Sequence, residues 1–256
     1  MRLTADYHTH TVFSDGKSTI EENIARAKEV GLEQIALTEH GFSHVWFGLR
    51  RKKLTEYFRR AREAEKTYGI PVLMGLENNI RGVSGLCDFT EADYENFDVF
   101  LAGIHVAIRY DKRGDSKLGY GSLLRTKLHV KPSKSLIDYT TRAYINTIKR
   151  NPVDILTHLN YLCFSDAVEV AKCCRDYGTY LEISSKKQHL TDDELAAVAD
   201  TGVRFVINSD AHSVNRIGDV FLAEEQIKRV GIPLDRIDNI DGKYPNFRFA
   251  EYKKRM

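Results

Sequence analysis

Residues 2–31 read RLTADYHTHTVFSDGKSTIEENIARAKEVG. The stretch opens with a short strand-like run, RLTADY, and continues into two histidines spaced two apart. Side chains two apart on a strand project the same way. His8 and His10 therefore aim at one point where the strand ends, and Asp15 follows five residues later. An amphipathic segment comes next, with Ile20, Ile24, Ala27 and Val30 at helical spacing. Ser18 and Glu21 open it in a capping-box pattern, and Gly31 closes it. The stretch is thus one strand–helix unit with polar chemistry at the junction.

The unit recurs along the chain. Strand-like runs follow at QIALT, PVLMGLE, VFLAGI, DILT, YLEIS and RFVINS. Helical patterns ending at glycine occupy 54–69 and 165–178, and a third at 191–202 opens on Thr191 and Glu194. Strands alternating with helices imply a parallel sheet. Seven such units in 256 residues predict a single-domain α/β protein with a closed or nearly closed β/α barrel, against the alternative of a doubly wound open sheet. One stretch breaks the rhythm. After His105, about thirty residues of weak periodicity carry eight Lys or Arg and two Asp. Long irregular loops in compact domains usually serve function, so a basic loop insertion at about 108–136 is expected over one end of the barrel.

Composition narrows the function. Lys+Arg 38 against Asp+Glu 36 gives a formal charge of +2, a poor match to a nucleic-acid or membrane binder. No apolar run approaches the ~20 residues of a membrane helix, and the first residues lack a secretory segment, so the expected location is the cytoplasm. Cys87, Cys163, Cys173 and Cys174 contain no C-x-x-C pair and read as free thiols.

The polar residues choose one side of the strands. QIALT runs into Glu39-His40, PVLMGLE ends at Glu77, VFLAGI runs into His105, DILT into His158, and RFVINS into Asp210 and His212. Six of the seven predicted strands carry a His, Asp or Glu at the C-terminal end, where β/α barrels place their active sites. His8, His10, His40, His105, His158 and His212 with Asp15, Glu77 and Asp210 make nine candidate metal ligands. A zinc-like ion takes three or four protein ligands, so nine suits two or three ions. Such centres are typical of phosphoester and amide hydrolysis. Phosphate also invites cations; Arg216, Lys186, Lys187 and Arg109 are the candidates for substrate binding. His189 is a loop histidine near the sixth strand end, within possible reach of substrate. Trp46 and Phe47 form either an apolar wall beside the substrate or core, and His44 and His129 are read as structural or surface residues.

The ordered motifs HTH, SDG, ALTEHG, GLEN, GIH, LTHLN and NSDAH resemble those of the PHP (polymerase and histidinol phosphatase) family, over about residues 5–240. GLENNIRGVSGLCD and RIGDV with IPLDRI are most similar to its small stand-alone bacterial phosphatases. The resemblance implies a distorted (β/α)7 TIM-like barrel holding three divalent ions, zinc, manganese or iron. It assigns His8, His10, Glu77 and Asp210 to the first ion, and Asp15, His40 and His212 to the second. Glu77 bridges to the third, completed by His105 and His158. It further implies hydrolysis of a small phosphomonoester by a metal-bridging hydroxide, with Asp15, His40, Glu77, Asp210 and His212 as the catalytic group. Asp15 stands where some members have His, and its carboxylate oxygen is harder than imidazole nitrogen, which bears on metal preference. The basic insertion and the last residues, DGKYPNFRFAEYKKRM, depart from the family pattern, so substrate choice transfers least. The alternatives are a histidinol-phosphate phosphatase specifically, a nuclease-type phosphodiesterase using the insertion as a phosphate groove, a dinuclear amidohydrolase, and a metal-binding module without catalysis. No lysine marks the middle strand as an amidohydrolase's bridge would. The expected partner is a small phosphorylated substrate, with no membrane and with nucleic acid disfavoured.

Overall fold

The computed structural model describes residues 1–128 and 130–256; His129 lies outside the described residues. Strands β1 (Ala5–Asp6), β2 (Gln34–His40), β3 (Val72–Asn79), β4 (Val99–Gly103), β5 (Ile155–Leu156), β6 (Tyr180–Ser184) and β7 (Phe205–Asn208) alternate with helices. The helices are α1 (Ile20–Glu29), α2 (Leu54–Tyr68), α3 (Tyr120–Lys127), α4 (Lys134–Arg150), α5 (Ala167–Tyr177), α6 (Asp192–Asp200), α7 (Phe221–Val230) and α8 (Arg248–Lys253). The strands pair in chain order, each parallel to the next. Beyond β1 and β7 the ends meet in a parallel bridge between Thr9 and Ala211, where the His10 N–H donates to the Ala211 carbonyl at 2.9 Å. The sheet is therefore a nearly closed barrel, and the open-sheet alternative fails.

Alternation along the strands divides the core. Ile35, Leu37, Phe205 and Ile207 face outward and pack under the helices. Ala5, Tyr7, Ala36, Val99, Leu101, Ile155, Tyr180 and Val206 form a separate cluster on the inward face. That inner cluster fills only part of the barrel, which frees the inward positions at the C-terminal ends for polar groups. The chain's last segment closes the other end. Phe247 meets Tyr7 edge to face at 5.0 Å. Phe249 is fully buried among Tyr94 and Phe100, at 5.0 and 5.7 Å. The Asp154 carboxylate, just before β5, accepts from the backbone N–H groups of Phe249 and Phe100 at 2.8 and 2.9 Å.

Two local expectations shift. The α1 box is built from Thr19 and Glu22, one residue later than Ser18 and Glu21. Ser18 is buried in the preceding turn, where its carbonyl accepts from Val12 N–H at 3.0 Å. The basic insertion is not a plain loop: it holds a 3-10 turn at Arg113–Lys117 followed by α3. One buried carboxylate organises it. Asp115 accepts from the Lys112 and Val83 N–H groups at 2.9 and 3.3 Å and from the Tyr139 hydroxyl. Order imposed by a single buried anion leaves little periodicity in the sequence. Phe249→Ala is expected to cost about 3–5 kcal/mol, measured by urea unfolding; a loss under about 1 kcal/mol would show that the C-terminal segment does not secure the barrel.

Candidate metal centre

Strand register sets the centre. His40 at the end of β2 lies in register with Glu77 on β3. His8 and His10 follow β1, and His105, His158 and Asp210 each lie two residues past β4, β5 and β7. His158 and Asp210 have positive φ, 28° and 47°. Left-handed backbone is strained for such residues and persists where the surroundings fix it, often at functional sites. Gly103 makes room: a Cβ there would sit 2.4 Å from Thr157 Oγ1 and 2.8 Å from His158 Cε1.

All nine candidate ligands converge. Glu77 Oε1 lies 2.6 Å from His158 Nε2, 3.1 Å from His105 Nε2 and 3.4 Å from His8 Nε2. Glu77 Oε2 lies 2.8 Å from His40 Nδ1 and 3.7 Å from His10 Nε2. Asp210 Oδ1 is 3.4 Å from His10 Nε2, 3.7 Å from His8 Nε2 and 3.3 Å from His212 Nδ1. Asp15 Oδ1 is 3.4 Å from His40 Nε2 and 3.3 Å from His212 Nε2. These atoms fall into overlapping groups: His10, Asp15, His40 and His212; His8, His10 and Asp210; His8, Glu77 and His158; His40, Glu77 and His105.

The donors fit divalent cations. His8 Nε2, His10 Nε2, His40 Nδ1, Asp15 Oδ1 and Glu77 Oε2 are buried and make no hydrogen bond. His40 Nδ1 and Glu77 Oε2 are within 2.8 Å yet misaligned for one. An unsatisfied buried polar atom costs roughly 1–3 kcal/mol, so several pointing at shared points call for a cation. Electrostatics agree. Burial pushes Glu77 up, but His105, His8 and His158 outweigh it and hold the carboxyl well below the usual range. Asp15 and Asp210 are likewise held below the usual carboxylate range against burial, by His212 and His40 and by His8 and His10 respectively. Burial, with His40 and His212 nearby, keeps His10 neutral and its lone pair free.

Sequence reasoning missed the residues that hold these ligands. Glu182 sits inside β6, the one strand to which no ligand was assigned. It is buried, with its Oε1 2.7 Å from His8 Nδ1 and 2.9 Å from Asn208 Nδ2, and its Oε2 accepts from His158 N–H at 2.9 Å. A carboxylate on His8 Nδ1–H leaves Nε2 as the donor to the centre. The available signal was an acidic residue in the middle of YLEIS. Glu39, also buried, accepts from the Thr11 N–H at 3.1 Å and from the Thr11 and Ser14 hydroxyls, fixing the loop that carries Asp15.

The other candidates divide. The centre opens into a cavity of about 170 Å³, and Lys186 lines it while Arg109, Arg216 and Lys187 do not. Lys186 Nζ lies 3.2 Å from Asp210 Oδ2 and 3.2 Å from His212 Nδ1. Arg216 donates to the Ser185 carbonyl at 2.8 Å and pairs with Asp219, and Arg109 is exposed. His44 is not remote from the site: it stacks on His40 at 5.2 Å and lines the cavity. Burial, then the nearby His40 and His105, lowers it to about 4. Phe47 lines the cavity and is partly exposed, while Trp46 beside it is exposed; neither is core. His189 is half-buried, its ring 5.8 Å from His158 and 5.0 Å from Tyr161.

Replacing Glu182 with Gln should keep the fold, read by circular dichroism, and weaken zinc binding about 10–100-fold in a competitive chelator titration. Unchanged affinity would remove Glu182 from the centre's support. Saturating zinc or manganese at about 100 times Kd should raise the wild-type stability by about 2.7 kcal/mol, seen as a higher Tm that chelator reverses; an unmoved Tm would mean that the folded state binds no ion.

The comparisons with known proteins follow the same lines. The PHP domain family model matches residues 6–189. A protein of Thermoanaerobacter sp. (strain X514) named "probable phosphatase" is 30% identical over 270 residues, covering 99% of this chain and 98% of that protein. One of Vibrio campbellii with the same name is 29% identical, covering 93% of this chain and 88% of its own length. Among solved structures, the histidinol phosphate phosphatase of Lactococcus lactis, complexed with zinc, L-histidinol and phosphate, superposes with a TM-score of 0.58 at 17% identity, covering 91% of this chain and 95% of that one. The barrel, its ligand-lined mouth and the match over most of the chain lead to one assignment: this protein belongs to the PHP domain family and is a metal-dependent phosphoesterase of the phosphatase type.

Proposed function

We propose that the centre holds three divalent ions and hydrolyses a small phosphomonoester. The observation that carries this reading is the sharing of ligands: Glu77 stands between the group with His8 and His158 and the group with His40 and His105, beside the group built on Asp15. His8, His10, Glu77 and Asp210 would hold the first ion, Asp15, His40 and His212 the second, and Glu77, His105 and His158 the third. Zinc, manganese and iron all suit imidazole and carboxylate donors. Ions so bound lower the pKa of water and offset charge on a phosphoryl group. In the reaction a water oxygen forms the new bond to phosphorus, the ester P–O bond breaks, and the water's proton ends on the leaving alkoxide.

The chain's own residues set the rest. Ionised Asp15, Glu77 and Asp210 and lone pairs of the six rings hold the centre rigid. Lys186, on the cavity wall beside Asp210 and His212, supplies a point charge for a phosphate oxygen. Arg109 and Arg216, which lie outside the cavity lining, act at most on a longer substrate. A small cavity with Lys186 as its one Lys or Arg among the described residues favours a compact monoester over a nucleic-acid strand, whose binding draws on rows of cations. Glu77 at the middle of the centre, without a lysine there, speaks against the amidohydrolase. Four buried free cysteines suit a reducing compartment, the cytoplasm.

Phosphate release from an aryl phosphomonoester should need added zinc or manganese and stop with chelator. Glu77→Gln should reduce kcat by at least about 10²-fold, as loss of a main electrostatic element does. Lys186→Ala should raise KM about tenfold with a smaller effect on kcat. Release that persists in metal-stripped protein would overturn the reading.

A further inference from the structure

The metal centre accounts for one side of the cavity; the remainder bears on the alcohol half of the substrate. Apart from the candidate ligands and Lys186, the lining side chains are His44, Phe47, Ile104, Val106, Tyr161 and Leu162, with Gly119 completing the wall. Every carboxylate lining the cavity, Asp15, Glu77 and Asp210, is already committed to the candidate centre. Among the described residues none is left to receive a positive charge on the substrate. His44 adds none either. Its Nδ1 accepts the Phe47 backbone N–H at 3.1 Å, so the ring is fixed as the neutral tautomer with its proton on Nε2. The apolar character continues outward. Phe47 is 44% exposed and the adjacent Trp46 67% exposed, an apolar lip at the mouth. The Tyr161 ring is held at 5.2 Å from His158 and 5.0 Å from His189.

We propose that the leaving alcohol of the substrate is an uncharged, largely apolar group, aryl or aralkyl, seated against Phe47, Ile104, Val106, Tyr161 and Leu162. This rests on the phosphomonoesterase reading above and narrows it. An amine-bearing alcohol entering the same wall would give up water for its ammonium and meet no free carboxylate. Ring faces return about 2 kcal/mol to a desolvated cation, less than the loss of its water takes. An apolar group of the same size gains by leaving water. The inference separates this enzyme from one built for histidinol phosphate, whose alcohol carries an amine.

The test is direct binding to the zinc-loaded full chain by calorimetry, with inorganic phosphate, propylphosphonate, 2-aminoethylphosphonate and benzylphosphonate as probes. Propyl and 2-aminoethyl differ in charge and little in size. The expected order is benzyl tightest, then propyl, with 2-aminoethyl weaker than propyl by about tenfold or more. Phe47→Ala should remove most of the benzyl advantage while bound zinc, measured by elemental analysis, stays the same. In parallel, kcat/KM for benzyl phosphate should exceed that for histidinol phosphate. Binding of 2-aminoethylphosphonate as tight as propylphosphonate, or a preference for histidinol phosphate, would overturn the inference and leave the phosphatase reading standing. Failure of the zinc-loaded protein to bind phosphate or any phosphonate would overturn both.

Discussion

The Glu77 carboxylate is the constraint on which the rest of the site depends. It is buried, its oxygens lie within 3.7 Å of five imidazoles, and among the described residues no lysine or arginine pairs with it. A buried anion without a partner costs far more than a domain's spare stability. The neighbouring imidazoles offset that cost, above all His105, His8 and His158, and divalent cations held on their nitrogens would complete the balance. The fold's task is to deliver those rings. Parallel strands in chain order put every C-terminal end on one side, so six of the seven strands bring their candidate ligands to the same small volume.

Support for the candidate ligands comes from residues outside the cavity lining. Glu182 fixes the His8 ring and the backbone of His158 together, tying β6 to both β1 and β5. Glu39 does the same for the loop of Asp15, and burial pushes its carboxyl up to about 7 against the hydrogen bonds of Ser14 and Thr11. Left-handed backbone at His158 and Asp210 turns two ligands inward at a local cost that the closed barrel bears. Phe247 caps the inner cluster at the lower end, and Phe249 packs on the outer face against Tyr94 and Phe100, so the C-terminal segment holds the strands together below the centre.

Much of this was legible in the sequence, for physical reasons. Strand periodicity and capped helices gave all seven strands, including β1 and β5, which pair through only two residues each. The candidate ligands were visible because histidines and acids ended run after run. The supporting residues were not, because a buried acid inside a strand, such as Glu182, has no pattern of its own; its role follows from which ring lies across the barrel. His44 was read as a structural or surface residue because it belongs to no strand end. It reaches the centre through the loop between β2 and α2, which pairs His44 with Ile108 of the insertion. That insertion looked irregular because its order comes from Asp115 and not from a repeating apolar face. Arg109 and Arg216 were plausible from their nearness in sequence to His105 and His212, but their side chains turn elsewhere.

We propose that Glu77 and the eight candidate ligands around it form one centre for three ions. It is tested most directly by equilibrium dialysis of the full chain against zinc, with elemental analysis of the bound metal. The account predicts three ions per chain at saturation. Saturation at a single ion, or at none, would contradict it.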